Sequence, residues 1–247
     1  MMGRLLARGL IAGLLAGLLA FGFARVFGEP QVDRAIAFEE QMAAATNVPA
    51  EPELVSRQTQ AGIGLFTGIM TYSVAIGGIF SLVFAFIYGR GSKLSPRALS
   101  AVIGLAAFVA MVVVPDLEYP PNPPAVGSPD TIGVRTQLFF VMLVVSIGSM
   151  AAAFVLAKKL RVRLGTWDGA ILAGVCYVAF LAIVQALMPS INEVPENFSA
   201  MTLYSFRIAT IGLQVIIWAV LSLAFGFLAE KLLAENGKYR PGALAFR

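Results

Sequence analysis

Ala61–Tyr88 reads AGIGLFTGIMTYSVAIGGIFSLVFAFIY, an unbroken run of 28 residues without a charged side chain. Coiled into an α-helix at about 1.5 Å per residue it would reach about 42 Å, more than the roughly 30 Å of hydrocarbon in a bilayer. Such a stretch predicts a membrane-crossing helix. Five further runs have the same character: Leu5–Ala24, Ala98–Pro115, Leu138–Ala157, Gly169–Pro189 and Ile208–Ala229. Apart from Arg8 in the first turn of the opening run, they too lack charge. Composition agrees, with 58% hydrophobic residues against 13% charged and a mean hydropathy of +0.82, far from the values of soluble domains. The expectation is an all-α, polytopic membrane protein with six transmembrane helices in a single domain over residues 1–247, its surroundings the lipid bilayer.

The loops give this array a direction. Of 18 Lys and Arg residues, 13 fall in the N-terminal segment, the second and fourth loops and the C-terminal tail, and five (Arg25, Arg34, Arg57, Arg135 and Arg207) fall on the opposite side. Cytoplasmic loops carry the excess of positive charge, so both termini are predicted to be cytoplasmic, in a bacterial inner membrane. The acids run the other way: only Asp168, Glu230 and Glu235 of 14 lie inside. The basic pI near 9.4 therefore reflects membrane topology, and no nucleic-acid partner is expected. The opening run is too long for a signal peptide and leads into Phe21-Gly22-Phe23, so it reads as a retained helix. Gly9, Gly13 and Gly17, with Ala12, Ala16, Ala20 and Ala24 beside them, form a small-residue row of the kind that lets membrane helices approach closely. Gly64 and Gly68 repeat the spacing in the second helix, and Gly77-Gly78 is expected to loosen its middle.

Cut into outward hairpins, the chain shows three similar units. Each leaves the membrane at a proline with acids nearby (Pro30 with Glu29 and Asp33; Pro115 with Asp116 and Glu118; Pro189 with Glu193) and re-enters at Arg57, Arg135 or Arg207. Three pseudo-repeated hairpins would produce the pattern, and so would the ordinary habits of proline as a helix stop and arginine at an interface. The acidic outer loop 28–60 opens with an amphipathic helix in which Val32, Ala35, Ile36, Phe38 and Met42 alternate with charge, then passes into an Ala/Pro-rich stretch. Tyr119-Pro120-Pro121-Asn122-Pro123-Pro124 is stiff, because successive prolines fix φ and remove donors.

The chemistry available is narrow. The chain has no histidine and one cysteine, Cys176, so no His-based nucleophile activation or imidazole metal site can form, and neither acid nor lysine lies within a span. An enzyme is not expected, nor a permanently bound cofactor, and a proton relay through buried titratable groups is disfavoured. Gln185 and Gln214 are the intramembrane polar residues most able to line a path; interhelical hydrogen bonding is their alternative role. At the outer mouth Glu29, Asp33, Glu39, Glu40, Asp116, Glu118 and Glu193 could gather divalent cations, carboxylate oxygen being a ligand for hard ions. A solvated acidic surface is the alternative.

Several strings carry a resemblance. Gly22-Phe-Ala-Arg-Val-Phe-Gly-Glu-Pro-Gln-Val-Asp-Arg-Ala-Ile-Ala-Phe-Glu39, Tyr119-Pro120 through Asn122-Pro-Pro-Ala-Val-Gly127, Thr131-Ile-Gly133 with Arg135-Thr136, and Asn192-Glu-Val-Pro195 resemble the CbtA family, described as probable cobalt transporter subunits and associated with cobalamin regulation. The resemblance covers nearly the whole chain. It implies Co2+ as the transported ion and a small single-span CbtB-like subunit as partner. Family members often carry a histidine-rich insert in the first outer loop, where this chain has Gln41–Pro52 without histidine; the resemblance then implies that histidines of the small subunit supply the missing ligands. A non-transporting membrane scaffold for a partner and a carrier of an organic solute are the rival classes.

Overall fold

The computed structural model describes residues 1–46, 55–90 and 94–239, and all regular structure among them is helical. Glu51 and Glu53 of the first outer loop, and Lys93, Arg240 and Arg247 of the inner positive charge, lie outside the described residues. Five helices are long and apolar enough to cross a membrane: α1 (Met2–Ala45), α2 (Arg57–Ile87), α3 (Pro96–Glu118), α4 (Pro129–Leu187, its first turn a 3-10 turn) and α5 (Ala200–Glu235). Four of the predicted apolar runs lie within one of these helices; Ala61–Tyr88 runs one residue past the end of α2 and Gly169–Pro189 two residues past the end of α4.

One predicted helix exit lies elsewhere than expected. Helix α1 does not stop at Gly28-Glu29-Pro30; it continues through the expected amphipathic segment to Ala45. Helix α3 ends at Glu118, within the expected exit Pro115-Asp116-Leu117-Glu118, after carrying Pro115 in its last turns. In both cases a five-residue π-helical segment precedes the proline by two residues, Ala24–Gly28 before Pro30 and Val109–Val113 before Pro115. A proline lacks the amide that would bond the carbonyl four residues back, and its ring crowds that carbonyl. The two carbonyls concerned, those of Val26 and Met111, lie inside the widened turns, where the ladder is already re-spaced. The proline is thus absorbed without ending the helix.

Helix α4 contains a reversal. Gly165 has φ 83° and ψ 174°, a conformation open to glycine and strongly disfavoured for residues with a Cβ. The Ser146 and Tyr177 hydroxyls are 3.4 Å apart although 31 residues separate them, a distance of about 46 Å along a continuous helix. Beside the turn, a Cβ on Gly169 would stand 2.9 Å from the amide nitrogen of Arg161. The limbs on either side of Gly165 are therefore antiparallel and in contact.

The chain divides into two compact units, one comprising Met1–Leu105 and Tyr204–Arg247, the other Ala106–Leu203. In the first, the Gly9/Gly13/Gly17 row meets α2 backbone to backbone. A Cβ on Gly9 would strike the Gly77 carbonyl, one on Gly13 the Ser73 carbonyl, and one on Gly17 would come within 2.8 Å of the Met70 sulfur. Ala12, Ala16 and Ala20 are fully buried alongside. Gly77 is the matching small residue on α2, so its role is close approach; Gly68 faces open space and takes no part. A second pair of small rows was hidden in the sequence by its serines. Ser100 and Gly104 on α3 face Ser222 and Gly226 on α5, and the Ser100 hydroxyl donates to the Ser222 carbonyl at 2.6 Å. Phe80 and Phe84 of α2 pack edge-on against Phe225 of α5, at 5.4 and 5.1 Å between ring centres. In the second unit, Val114, Met142 and Leu181 form the core, with Val145, Tyr177 and Val184 against it.

Candidate functional site

The residues singled out for chemistry fall into two clasps and a set of unpaired acids. The first clasp is in the first unit. Arg57 opens α2 behind the Ser56 cap, which accepts from the Thr59 amide, and its guanidinium reaches two carboxylates of α1. It bonds the Glu29 carboxylate and donates to Asp33 Oδ1 from Nε at 3.0 Å and from a terminal nitrogen at 2.9 Å. Glu29 and Asp33 are one helical turn apart, so both face the same cation. Glu29 is 8% exposed, and a carboxylate so placed requires a partner. The re-entry arginine and the exit acids of the first hairpin are therefore an ion pair, with one negative charge left over.

The second clasp joins two loops of the second unit. The Ser128 amide donates to Glu193 at 2.7 Å, and the Arg135 guanidinium lies 3.5 Å from the same oxygen while donating to the Ser128 carbonyl at 3.2 Å. The Thr131 hydroxyl, the Ser128 amide and the Arg135 charge hold the Glu193 carboxyl below its usual range. That hydroxyl is also 3.0 Å from the Ser128 carbonyl; with one hydrogen it serves one acceptor at a time, and the charged carboxylate is the stronger. Gly127, with φ +117°, lies so close to the Arg135 guanidinium that a Cβ would overlap it. The proline segment before it leads into a turn in which the Val126 amide bonds the Pro123 carbonyl and Ala125 takes φ 65°. Tyr119 donates from its hydroxyl to the Pro189 carbonyl at 3.0 Å. The resembling strings 119–127, 131–136 and 192–195 thus meet in one strap. The sequence singles out Arg135 and Glu193 separately, and Gly127 and Thr131 only within the resembling strings, but neither Ser128 nor the pairing, because 65 residues of chain separate Ser128 from Glu193 and no local spacing reports it.

The arginines do not repeat one scheme: Arg57 pairs with the acids of its own hairpin, whereas Arg135 pairs with Glu193 of the next. Glu39 and Glu40 are exposed on α1, and Asp116 and Glu118 are partly buried on the last turn of α3; none of the four has an ion pair among the described residues. No group of three His, Cys, Asp or Glu side chains among the described residues could hold a metal ion. Of the two glutamines, Gln185 donates to the Val114 carbonyl at 3.1 Å. Gln214 differs, its amide oxygen being buried without a partner among the described residues, as is the indole N–H of Trp218 one turn further along α5. Cys176 is exposed.

Long apolar helices with broad exposed apolar faces, joined by small-residue seams and clasped at their loops, define a multi-pass membrane protein. The family model described as "Probable cobalt transporter subunit (CbtA)" matches residues 2–230, and the chain belongs to that family. The description is of a transporter subunit, which implies a partner, and not of an enzyme. No curated protein and no solved structure matches the chain.

Proposed function

We propose that this chain is the multi-pass membrane subunit of a divalent-metal uptake transporter carrying Co2+, working with a small single-span CbtB-like subunit in the bacterial cytoplasmic membrane. The observation that carries the reading is the family match over residues 2–230 on a chain whose helices are of membrane-crossing length. The antiparallel limbs about Gly165 support counting α4 as two crossings, giving six in all. Six crossings put both termini on one face, and the 13-to-5 distribution of Lys and Arg favours the cytoplasmic one.

Within this reading the outer acids divide their work. Glu29 and Asp33 hold the first hairpin together through their clasp, and Glu193 ties the loops of the second unit. Glu39, Glu40, Asp116 and Glu118 supply negative charge that concentrates cations by long-range attraction, a diffuse role that needs no coordination cage. Gln214 offers an unpaired amide oxygen, and Gln185 keeps its oxygen while its nitrogen is held by Val114; both suit a path for an ion that keeps part of its hydration. Selectivity is the part this chain is least equipped to supply. Carboxylate and carbonyl oxygens discriminate poorly among Co2+, Mg2+ and Mn2+, whereas imidazole favours the later transition metals, so the small subunit's histidines complete the selective site. The test is cobalt accumulation by cells carrying the pair, with Glu39, Glu40, Asp116 and Glu118 replaced by their amides. Uptake should fall, and the deficit should be largest at low ionic strength. Unchanged uptake at every ionic strength would assign these acids to solvation of the surface.

A further inference from the structure

The end of the α4 hairpin carries four cations, Lys158, Lys159, Arg161 and Arg163, immediately before the Gly165 turn. All four are exposed, and none has an ion pair among the described residues. Large apolar side chains interrupt them: Val162 is 86% exposed, Leu164 45%, and Trp167, two residues past the turn, 81%. A cluster of like charges without ion pairs, beside a largely exposed indole, has no internal rationale. It gains neither burial nor neutralisation within the chain, although Asp168 is adjacent in sequence.

The spacing gives the cluster a shape. Lys159 and Arg163 are four residues apart and so project from one face of the helix, where with Leu160 and Val162 they line a shallow groove. The contact of Gly169 with the Leu160–Arg161 backbone fixes the second limb beside this groove, so Trp167 stands at the same end of the hairpin. Cations over apolar side chains, at the end of a membrane-length helix and next to an indole, match the interface of a bilayer. There the cations meet phosphate and the indole sits at glycerol level.

We propose that this hairpin tip is a binding site for anionic phospholipid headgroups, in which Lys159 and Arg163 straddle the phosphate and Val162 and Trp167 rest on the upper acyl chain. A soluble acidic protein would account for the charges but would leave Val162 and Trp167 in water. The site rests on the membrane-spanning reading of the helices and is independent of which ion is transported.

The chain has two tryptophans, and Trp218 is 4% exposed, so Trp218→Phe leaves Trp167 as the sole indole reporter. The experiment reconstitutes this variant in vesicles of phosphatidylcholine and phosphatidylglycerol in which one or the other lipid is brominated. At equal mole fraction, brominated phosphatidylglycerol should quench Trp167 more strongly. A cation at an anionic lipid surface strengthens attachment by about fivefold, so Lys159→Ala with Arg163→Ala should lower the preference by about 25-fold. Equal quenching by the two lipids, or quenching by neither, would overturn the proposal, as would a preference unchanged by the double substitution. Should Trp218→Phe not fold, native mass spectrometry of the unsubstituted protein provides the same decision. Retained phosphatidylglycerol that is lost on Lys159→Ala/Arg163→Ala supports the site, and no selective retention refutes it.

Discussion

Replacing Gly13 by alanine adds one methyl group at the closest point of the α1–α2 seam. Its Cβ would strike the Ser73 carbonyl oxygen and lie 3.0 Å from the Ser73 carbonyl carbon and the Val74 Cα. All three are backbone atoms, so no rotamer change relieves the clash and the helices must part. A separation of 0.5–1 Å forfeits roughly a quarter to a half of the dispersion attraction along the seam, and overpacking of this kind costs about 1–3 kcal/mol. Opposing this, alanine is intrinsically better than glycine in a helix by up to about 1 kcal/mol. The net expectation is destabilisation by about 1–2 kcal/mol. Gly68→Ala is the control: a Cβ there meets nothing within 4 Å, so only the propensity gain remains and the substitution should be neutral or stabilising. Equilibrium unfolding of the purified protein in mixed detergent micelles reads both. Opposite signs for the two variants are the expected outcome. Equal effects would refute the claim that the glycine row exists for backbone approach.

Gly165→Ala forces a Cβ into a φ of +83° and should lower stability by about 1–3 kcal/mol in the same unfolding assay, although the site is open. Glu193→Gln should weaken the strap between residues 128 and 193 at neutral pH. The Glu193 carboxyl lies below its ordinary 4.5 in the fold, so its contribution is present above that value and lost as pH falls through the lowered one. The difference in unfolding temperature between wild type and Glu193→Gln should therefore hold at neutral pH and vanish in strong acid. In a Cys176→Ala background, cysteines at Ala44 and Ala125 should react with an impermeant thiol reagent from outside intact cells, while those at Val162 and Lys238 should not; the reverse pattern would invert the topology.

The apolar runs were legible because a bilayer imposes length and composition together, and the Gly9/Gly13/Gly17 row because close packing in lipid demands small residues at a fixed spacing. The ends of the helices were less so. Pro30 suggests a stop, whereas α1 absorbs it in the π-segment that precedes it, as α3 absorbs Pro115 shortly before its end, and nothing in Ala24–Gly28 or Val109–Val113 announces a wide turn. The Ser100/Gly104 and Ser222/Gly226 seam escaped a search for glycine alone. Among the candidate site residues, charge type and general location could be read, but partners could not. Glu29 and Asp33 look like free acids until Arg57 is folded onto them, and Glu193 looks like an ion ligand until the Ser128 amide and Thr131 hydroxyl reach it across the loop. Long-range pairing of this kind depends on which helices become neighbours, and local periodicity carries no record of that.

Cobalt influx into vesicles containing this chain, the small subunit, or both, measured against competing Mg2+ and Mn2+, tests the central claim most directly. The account predicts cobalt-selective influx with both chains and slow, poorly selective influx with this chain alone. Vesicles with both chains that admit no cobalt would contradict it and favour the scaffold or organic-solute reading, and full selectivity from this chain alone would overturn the shared site.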